Sequence, residues 1–142
     1  MLSDNEIRDV LQGARTVAVV GMSDRPERDS FAVARFLQRN GYRVIPVNPN
    51  LKGRVLGERT FASLQDIAEP VDIVAIFRRP EHAPAVVESA IAIGAKVVWM
   101  PLGIVAPAAA MRAKQAGLQV VMDRCLAIEH RRLMREVESV LY

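Results

Sequence analysis

VAVVGMSDRPERDSFAVARFLQRNGYRVIPVNP, residues Val17–Pro49, decides the fold. It reads as a buried strand, a glycine turn, an amphipathic helix and a second strand, the opening of a nucleotide-binding α/β domain. Thr16–Val20 is an apolar, largely β-branched run, as a central parallel strand covered on both faces requires. Ser30–Asn40 follows as a helix: Val33, Ala34 and Leu37 share a face, and Gly41 stops it. Arg43–Val47 is the second strand. Two departures from the dinucleotide pattern matter more than the match. The turn is not G-x-G-x-x-G, and no carboxylate stands at the end of the second strand. The expected ligand is therefore nucleotide-like but not NAD.

The same alternation continues in both directions. Ser3-Asp4-Asn5-Glu6 is a capping box, so a helix runs from there to about Gly13, with Ile7, Val10 and Leu11 on one face. Leu51–Phe61 is polar and glycine-rich and reads as a loop with one short edge strand. Ser63–Ala68 is a short helix with Ser63 as its cap. Asp72–Phe77 is a third buried strand, and a helix from Pro80 follows, with Ala83, Val86, Val87, Ala90 and Ile91 on one face and Gly94 at its end. Lys96–Met100, Ala106–Ala116 and Leu118–Met122 give strand, helix and strand. Glu129–Leu141 is a terminal helix with Leu133, Val137 and Leu141 in register. Strands alternating with helices over short loops predict a Rossmann-like, doubly wound parallel sheet in one domain spanning residues 1–142. Ligands of such sheets bind beyond the carboxyl ends of the strands. Those ends are Gly21-Met22-Ser23, Val47-Asn48-Pro49, Phe77-Arg78-Arg79-Pro80 and Met100-Pro101-Leu102-Gly103.

Composition narrows the classes. At 142 residues and 51% hydrophobic the chain suits one domain with a proper core. No run of about 18 apolar residues exists, so no membrane span is expected. MLSDNEIRDVLQGAR carries early acidic residues and no long apolar stretch, so it does not read as a signal peptide. A single cysteine, Cys125, excludes an intramolecular disulfide, and the cytoplasm is the simplest compartment. A net charge of +3 suits a polyanionic ligand but is too mild for a nucleic-acid partner. One Trp and two Tyr give few platforms for stacking bases.

The candidate ligand residues sit at those strand ends. Gly21 lets the chain turn sharply and lets a phosphate approach the backbone. Ser23, Arg25, Arg28 and Ser30 follow, so helix-start N–H groups, hydroxyls and arginines together make an anion site. The same loop also reads as an ordinary strand-to-helix turn. Asn48 can bond a ribose or a base, or Asn48-Pro49 simply begins a turn. Lys52 can meet a phosphate or be merely solvated. Phe77 can pack on an adenine while Arg78 or Arg79 pairs with a phosphate, or these are a core Phe and two surface arginines. Nothing in the sequence joins Cys125, His82 and His130 into a nucleophile–base pair, and one Cys with two distant His makes no metal signature. No catalytic residue is expected.

Three blocks taken in order, GMSDRPERDSFAVARFLQRNGYRVIPVNP, VDIVAIFRRPEHAPAVVESAIAIGAKVVWM and VVMDRCLAIEH, resemble the small single-domain CoA-binding proteins. These are similar to the CoA-binding domain of the succinyl-CoA synthetase α subunit, standing alone. The resemblance spans about Glu6 to Leu141. It implies CoA or an acyl-CoA lying across the strand ends. Gly21, Met22 and Ser23 would face the pyrophosphate, with Ser30 capping the helix beneath it. Val47, Asn48, Pro49 and Lys52 would line the adenosine side, and Phe77, Arg78, Arg79 and Pro80 would close the next strand end. Two positions depart from the family: Pro101 stands where Gln is usual before Leu-Gly, and Ala127 where Lys is usual. The first removes a polar group from a ligand-side strand end. The family brings no established reaction, and the synthetase's catalytic histidine lies in regions without a counterpart here.

The leading expectation is a module that binds CoA or acyl-CoA without catalysis of its own. Two others stand beside it: an NAD(P)-dependent oxidoreductase, and a regulatory or redox-sensing protein that responds to CoA. No sequence feature identifies a protein partner.

Overall fold

The computed structural model describes the backbone of residues 1–141 and the side chains of residues 1–135. Five parallel strands form the central sheet: β1 (Thr16–Val20), β2 (Arg43–Val47), β5 (Ile73–Ile76), β6 (Val97–Trp99) and β7 (Gln119–Val121). Their spatial order is β2-β1-β5-β6-β7. The chain therefore steps outward from β1 to β2, then returns to the other side of β1 and continues through β5 to β7. The reversal falls between β1 and β5, which is where a doubly wound sheet opens a crevice at its carboxyl end.

Both faces of the sheet are covered, and the period-2 alternation of strand side chains divides the core in two. Val17 and Val19 of β1 pack with Ile7 and Leu11 of α1 (Asp4–Gly13), Val33 and Leu37 of α2 (Asp29–Arg39) and Leu133 of α5 (Leu126–Leu141). Ala18 and Val20 point the other way, toward Val86 and Val87 of α3 (Ala83–Ala92) and Ala110 and Ala113 of α4 (Pro107–Gln115). The apolar run that follows the first residue of each strand is explained by this double covering.

Local signals behave as their chemistry dictates. The Ser3 hydroxyl accepts from the Glu6 N–H at 3.2 Å, and the Ser3 N–H donates to the Glu6 carboxylate at 3.0 Å, completing the capping box of α1. The helix read from Pro80 begins as a 3-10 turn, Pro80–His82, before α3 takes over. The terminal helix starts at Leu126 rather than Glu129. Leu133 is buried as its register requires, while the side chains of Val137 and Leu141 lie outside the described residues.

Three details correct the sequence reading. The segment after β2 holds not one edge strand but a two-stranded antiparallel hairpin, β3 (Arg54–Val55) and β4 (Glu58–Arg59). Its turn residues, Leu56 and Gly57, have φ of +54° and +77°, the left-handed pair that tight hairpins require. The short helix after Ser63 is a 3-10 turn, Leu64–Asp66. Ser63 makes no capping bond to its backbone, and its hydroxyl instead donates to the Asp66 carboxylate at 3.1 Å. Ser30 does not cap α2. The cap position is Arg28, and Ser30 lies inside the first turn, nearly buried.

Candidate functional site

The ends of β1 and β2 are locked together by short polar contacts. The N–H groups of Gly21 and Met22 both donate to the Val47 carbonyl, at 2.9 and 3.3 Å. The Asn48 side-chain amide donates to the Met22 carbonyl at 2.9 Å, and its oxygen accepts from the Asn50 N–H at 2.9 Å. The Ser23 N–H donates to the Ser30 hydroxyl at 3.0 Å, so Ser30 holds the loop closed from below. The Ser23 hydroxyl accepts from the Arg25 N–H at 3.1 Å. The backbone donors of Gly21, Met22 and Ser23 are thus engaged within the protein. Those of the first turn of α2 have no intrahelical partner, and no side chain caps that helix.

Around this framework the surface is concave. A crevice of about 730 Å³ runs over the α2 start and the ends of β1, β5 and β6. Gly21, Met22, Ser23, Arg28, Ser30, Asn48, Phe77, Arg78, Arg79 and Pro80 all border it. A second hollow of about 310 Å³ lies on the other side of Gly21, between the end of β2, the 3-10 turn and α3. Val47, Asn48 and Pro49 line it, and Gly21, Asn48 and Arg78 border both spaces. Twelve of the thirteen residues singled out from sequence are therefore brought to one end of the sheet. Lys52 is exposed and borders neither space.

The charges at the crevice are mixed. Arg25, Arg28, Arg78 and Arg79 stand against Asp24, Glu27 and Asp29. Arg25 is 3.6 Å from Glu27, an exposed pair of little energetic weight. Among the described residues no carboxylate pairs with Arg28, Arg78 or Arg79. These three guanidinium groups are therefore available to an incoming anion, and bidentate recognition of phosphate is the chemistry a guanidinium fork favours.

Met22 borders the crevice but is fully buried, and its side chain belongs to the core. Phe77 is half-buried and packs against the core around β1 and α2. It does not border the hollow beside β2, so the place expected for an adenine and the aromatic ring expected to stack on it are on different sides of Gly21. Ala127, at the family's usual Lys position, lies in the first turn of α5, is buried in the core and does not border the crevice.

Sequence reasoning missed Ser63, Gln65 and Ser89, which line the β2-side hollow from the 3-10 turn and α3. Gln65 donates to the Ser89 hydroxyl at 3.0 Å, which ties the two walls together. No motif marks them, since their meeting depends on how α3 packs. The residues considered for catalysis stay apart. His82 is exposed in its 3-10 turn, and His130 sits edge-on to Phe36 and Tyr42, at 5.4 and 5.7 Å between ring centres, beside the amino ends of the strands.

The CoA binding domain profile matches residues 15–131. The protein YneT of Bacillus subtilis (strain 168) is 41% identical over 128 residues, 90% of this chain and 94% of its own. A hypothetical protein from Pyrococcus horikoshii OT3 superposes with a TM-score of 0.90 at 40% identity, covering 94% of this chain and 93% of its own. A protein from Thermus thermophilus superposes with a TM-score of 0.89 at 41% identity, covering 93% and 99%. A dinucleotide-forming acetyl-coenzyme A synthetase from Ca. Korarchaeum cryptofilum shares the fold at 20% identity, with a TM-score of 0.69, over 84% of this chain and 28% of the synthetase. With the profile matched from the strand that opens the sheet to the helix that closes it, the chain belongs to the CoA-binding domain family.

Proposed function

We propose that the crevice at the carboxyl end of the sheet binds coenzyme A and that binding, without a reaction catalysed by this chain, is its biochemical role. The observation that carries this reading is the set of three arginines, Arg28, Arg78 and Arg79, with no carboxylate partner among the described residues, around a helix start without a side-chain cap. Coenzyme A carries a pyrophosphate and a further ribose phosphate, so it has the anionic groups such a set favours. The phosphates lie over the first turn of α2, where the free N–H groups and the positive end of the helix dipole act together. The nucleoside occupies the hollow lined by Val47, Pro49, Ser63, Gln65 and Ser89. The pantetheine arm then runs past Phe77 toward Pro101. Lys52 has no part in this arrangement.

A nicotinamide dinucleotide fits less well. Such ligands are held by a carboxylate at the end of the second strand. Asn48 stands there, with both ends of its amide already bonded to Met22 and Asn50. With CoA as ligand, the cytoplasm is the compartment the reading assigns. Isothermal calorimetry with CoA and NAD tests it: CoA binds with a Kd in the micromolar range and NAD at least tenfold more weakly. Equal or tighter binding of NAD overturns the assignment. Native mass spectrometry of freshly purified protein gives an independent check through any retained ligand mass.

A further inference from the structure

Beyond the arginines the crevice opens into a second space of different character. Where α2, the ends of β5 and β6 and the start of α5 converge, a chamber of about 260 Å³ is walled by Ala32, Val33, Phe77, Trp99, Leu126 and Ile128. Asp29, Phe77, Pro101 and Leu102 border both this chamber and the crevice, so the two are continuous. Asp29, at the crevice side, is the one ionisable carboxylate on its wall. Trp99 offers no polar atom, since its indole N–H donates to the Arg124 carbonyl at 2.7 Å.

The rim of the chamber is apolar as well. Leu102 and Ile128 are 65% and 51% exposed, although both are large aliphatic residues. Single exposed hydrophobics need no explanation, but two flanking the mouth of an apolar chamber together do. Free CoA ends in a small thiol, which would leave most of this surface against water. An acyl group on that thiol would cover it.

We propose that the chamber receives the acyl chain of an acyl-CoA, so that the protein prefers the thioester of a short or medium fatty acid to CoA itself. This rests on the reading of the crevice as the CoA site. The room available, about 260 Å³, is that of roughly eight groups of the ~30 Å³ a water takes in the liquid, a size close to that of a methylene. The preference then rises with chain length and stops rising when the chamber is full. A chain much longer than eight carbons has to leave through the mouth between Leu102 and Ile128.

Calorimetry under reducing conditions, because Cys125 also lines the chamber, tests the proposal with CoA, acetyl-, butyryl-, hexanoyl- and dodecanoyl-CoA. Butyryl-CoA should bind about tenfold more tightly than acetyl-CoA, as two buried methylenes imply. Hexanoyl-CoA should bind more tightly still, and dodecanoyl-CoA should gain nothing further. Ala32→Phe places a ring into the chamber from an exposed position on α2. It should bring the ratio of hexanoyl-CoA to CoA affinity down to about one. Ile128→Asp, which puts a charge at the mouth, should lower the same ratio and serves if the first variant folds poorly. If CoA binds and the acyl-CoAs bind no more tightly, the acyl chamber is wrong while the CoA reading stands. If the ratio persists in both variants, the chain is held elsewhere. If neither CoA nor any acyl-CoA binds, both readings fall together.

Discussion

A Cβ on Gly21 would overlap the carbonyl oxygen of Phe77 and stand 2.8 Å from its carbonyl carbon. The two residues end β1 and β5, the adjacent strands between which the sheet reverses its order. Gly21 also has φ at +85°, a region that strains any side chain. The glycine is therefore required first by the fold, because the backbone of the neighbouring strand occupies the place of a side chain.

Gly21→Ala should consequently destabilise the protein and weaken CoA binding together. The strained backbone alone contributes about 1–3 kcal/mol, and displacement of Phe77 adds to it. Urea unfolding and CoA calorimetry on the same preparation measure both effects. A variant with wild-type stability and lost binding would mean that Gly21 serves the ligand and not the strand contact.

Arg78 borders both the crevice and the β2-side hollow and pairs with no carboxylate among the described residues. Arg78→Ala should therefore weaken CoA binding about tenfold, or about 1.4 kcal/mol. It should leave the urea midpoint nearly unchanged, because no hydrogen bond or ion pair among the described residues is lost. Wild-type affinity should fall more steeply with salt than that of the variant. Unchanged affinity at low salt would remove Arg78 from the site.

Asn48 stands where a dinucleotide site of the usual kind has a carboxylate, and both ends of its amide are bonded within the protein. Its amide nitrogen donates to Met22 while its oxygen accepts from Asn50. Asn48→Asp keeps the second contact but sets a carboxylate oxygen against the Met22 carbonyl, with no proton between them. The variant should lose about 1–3 kcal/mol of stability and gain no useful affinity for NAD, which unfolding curves and NAD titration would show. A stable variant that binds NAD tightly would mean that the β1–β2 end can rearrange around an acid.

The parts of this architecture legible in sequence are those fixed by local pattern. Thr16–Val20 and Arg43–Val47 were readable to the residue because strands buried on both faces must be apolar beyond their first residue. Their ends, and so the ends that border the crevice, followed. Ser30 misled because hydroxyls are preferred helix caps, yet its oxygen is used by the Ser23 N–H from within the first turn. The β3–β4 hairpin escaped notice because each strand has only two residues, too few for any periodicity. The acyl chamber could not be read at all. Its walls come from Val33, Phe77, Trp99 and Ile128, which meet only after four elements have packed.

Asp72 closes the opposite end of the sheet and makes stability depend on pH. Its carboxylate accepts from the N–H groups of Arg15 and Thr16, at 2.8 and 3.1 Å, and lies 3.4 Å from the Lys96 ammonium. Burial pushes this carboxyl up, but those donors and the Lys96 charge outweigh burial and hold it below its ordinary value of 3.8. A carboxyl depressed in the folded state contributes stability above its unfolded value, lost as pH falls through the folded one. Asp72→Asn should cost about 1–3 kcal/mol at pH 7, and the gap to wild type should narrow below about pH 4. A gap that stays constant from pH 7 to pH 3 would show that the charge of Asp72 contributes nothing.

Cys125 is half-buried at the start of α5 and lines the apolar chamber. Among the described residues its thiol makes no hydrogen bond to a base. Glu129, one turn along the helix, is 3.5 Å from Arg124 and also paired with Arg132, and His130 packs among Phe36 and Tyr42. Cys125→Ser should accordingly leave the affinity for free CoA within about threefold, or roughly 0.7 kcal/mol. The competing possibility is thiol–disulfide exchange with the disulfide of CoA: the Cys125 thiolate attacks one sulfur, a mixed disulfide forms, and one CoA leaves as its thiol. Intact mass after incubation with CoA disulfide distinguishes the two. The expected outcome is no adduct on either protein. A gain of one CoA, reversed by reductant and absent in Cys125→Ser, would make Cys125 a redox contact to the pantetheine thiol and would overturn its structural reading.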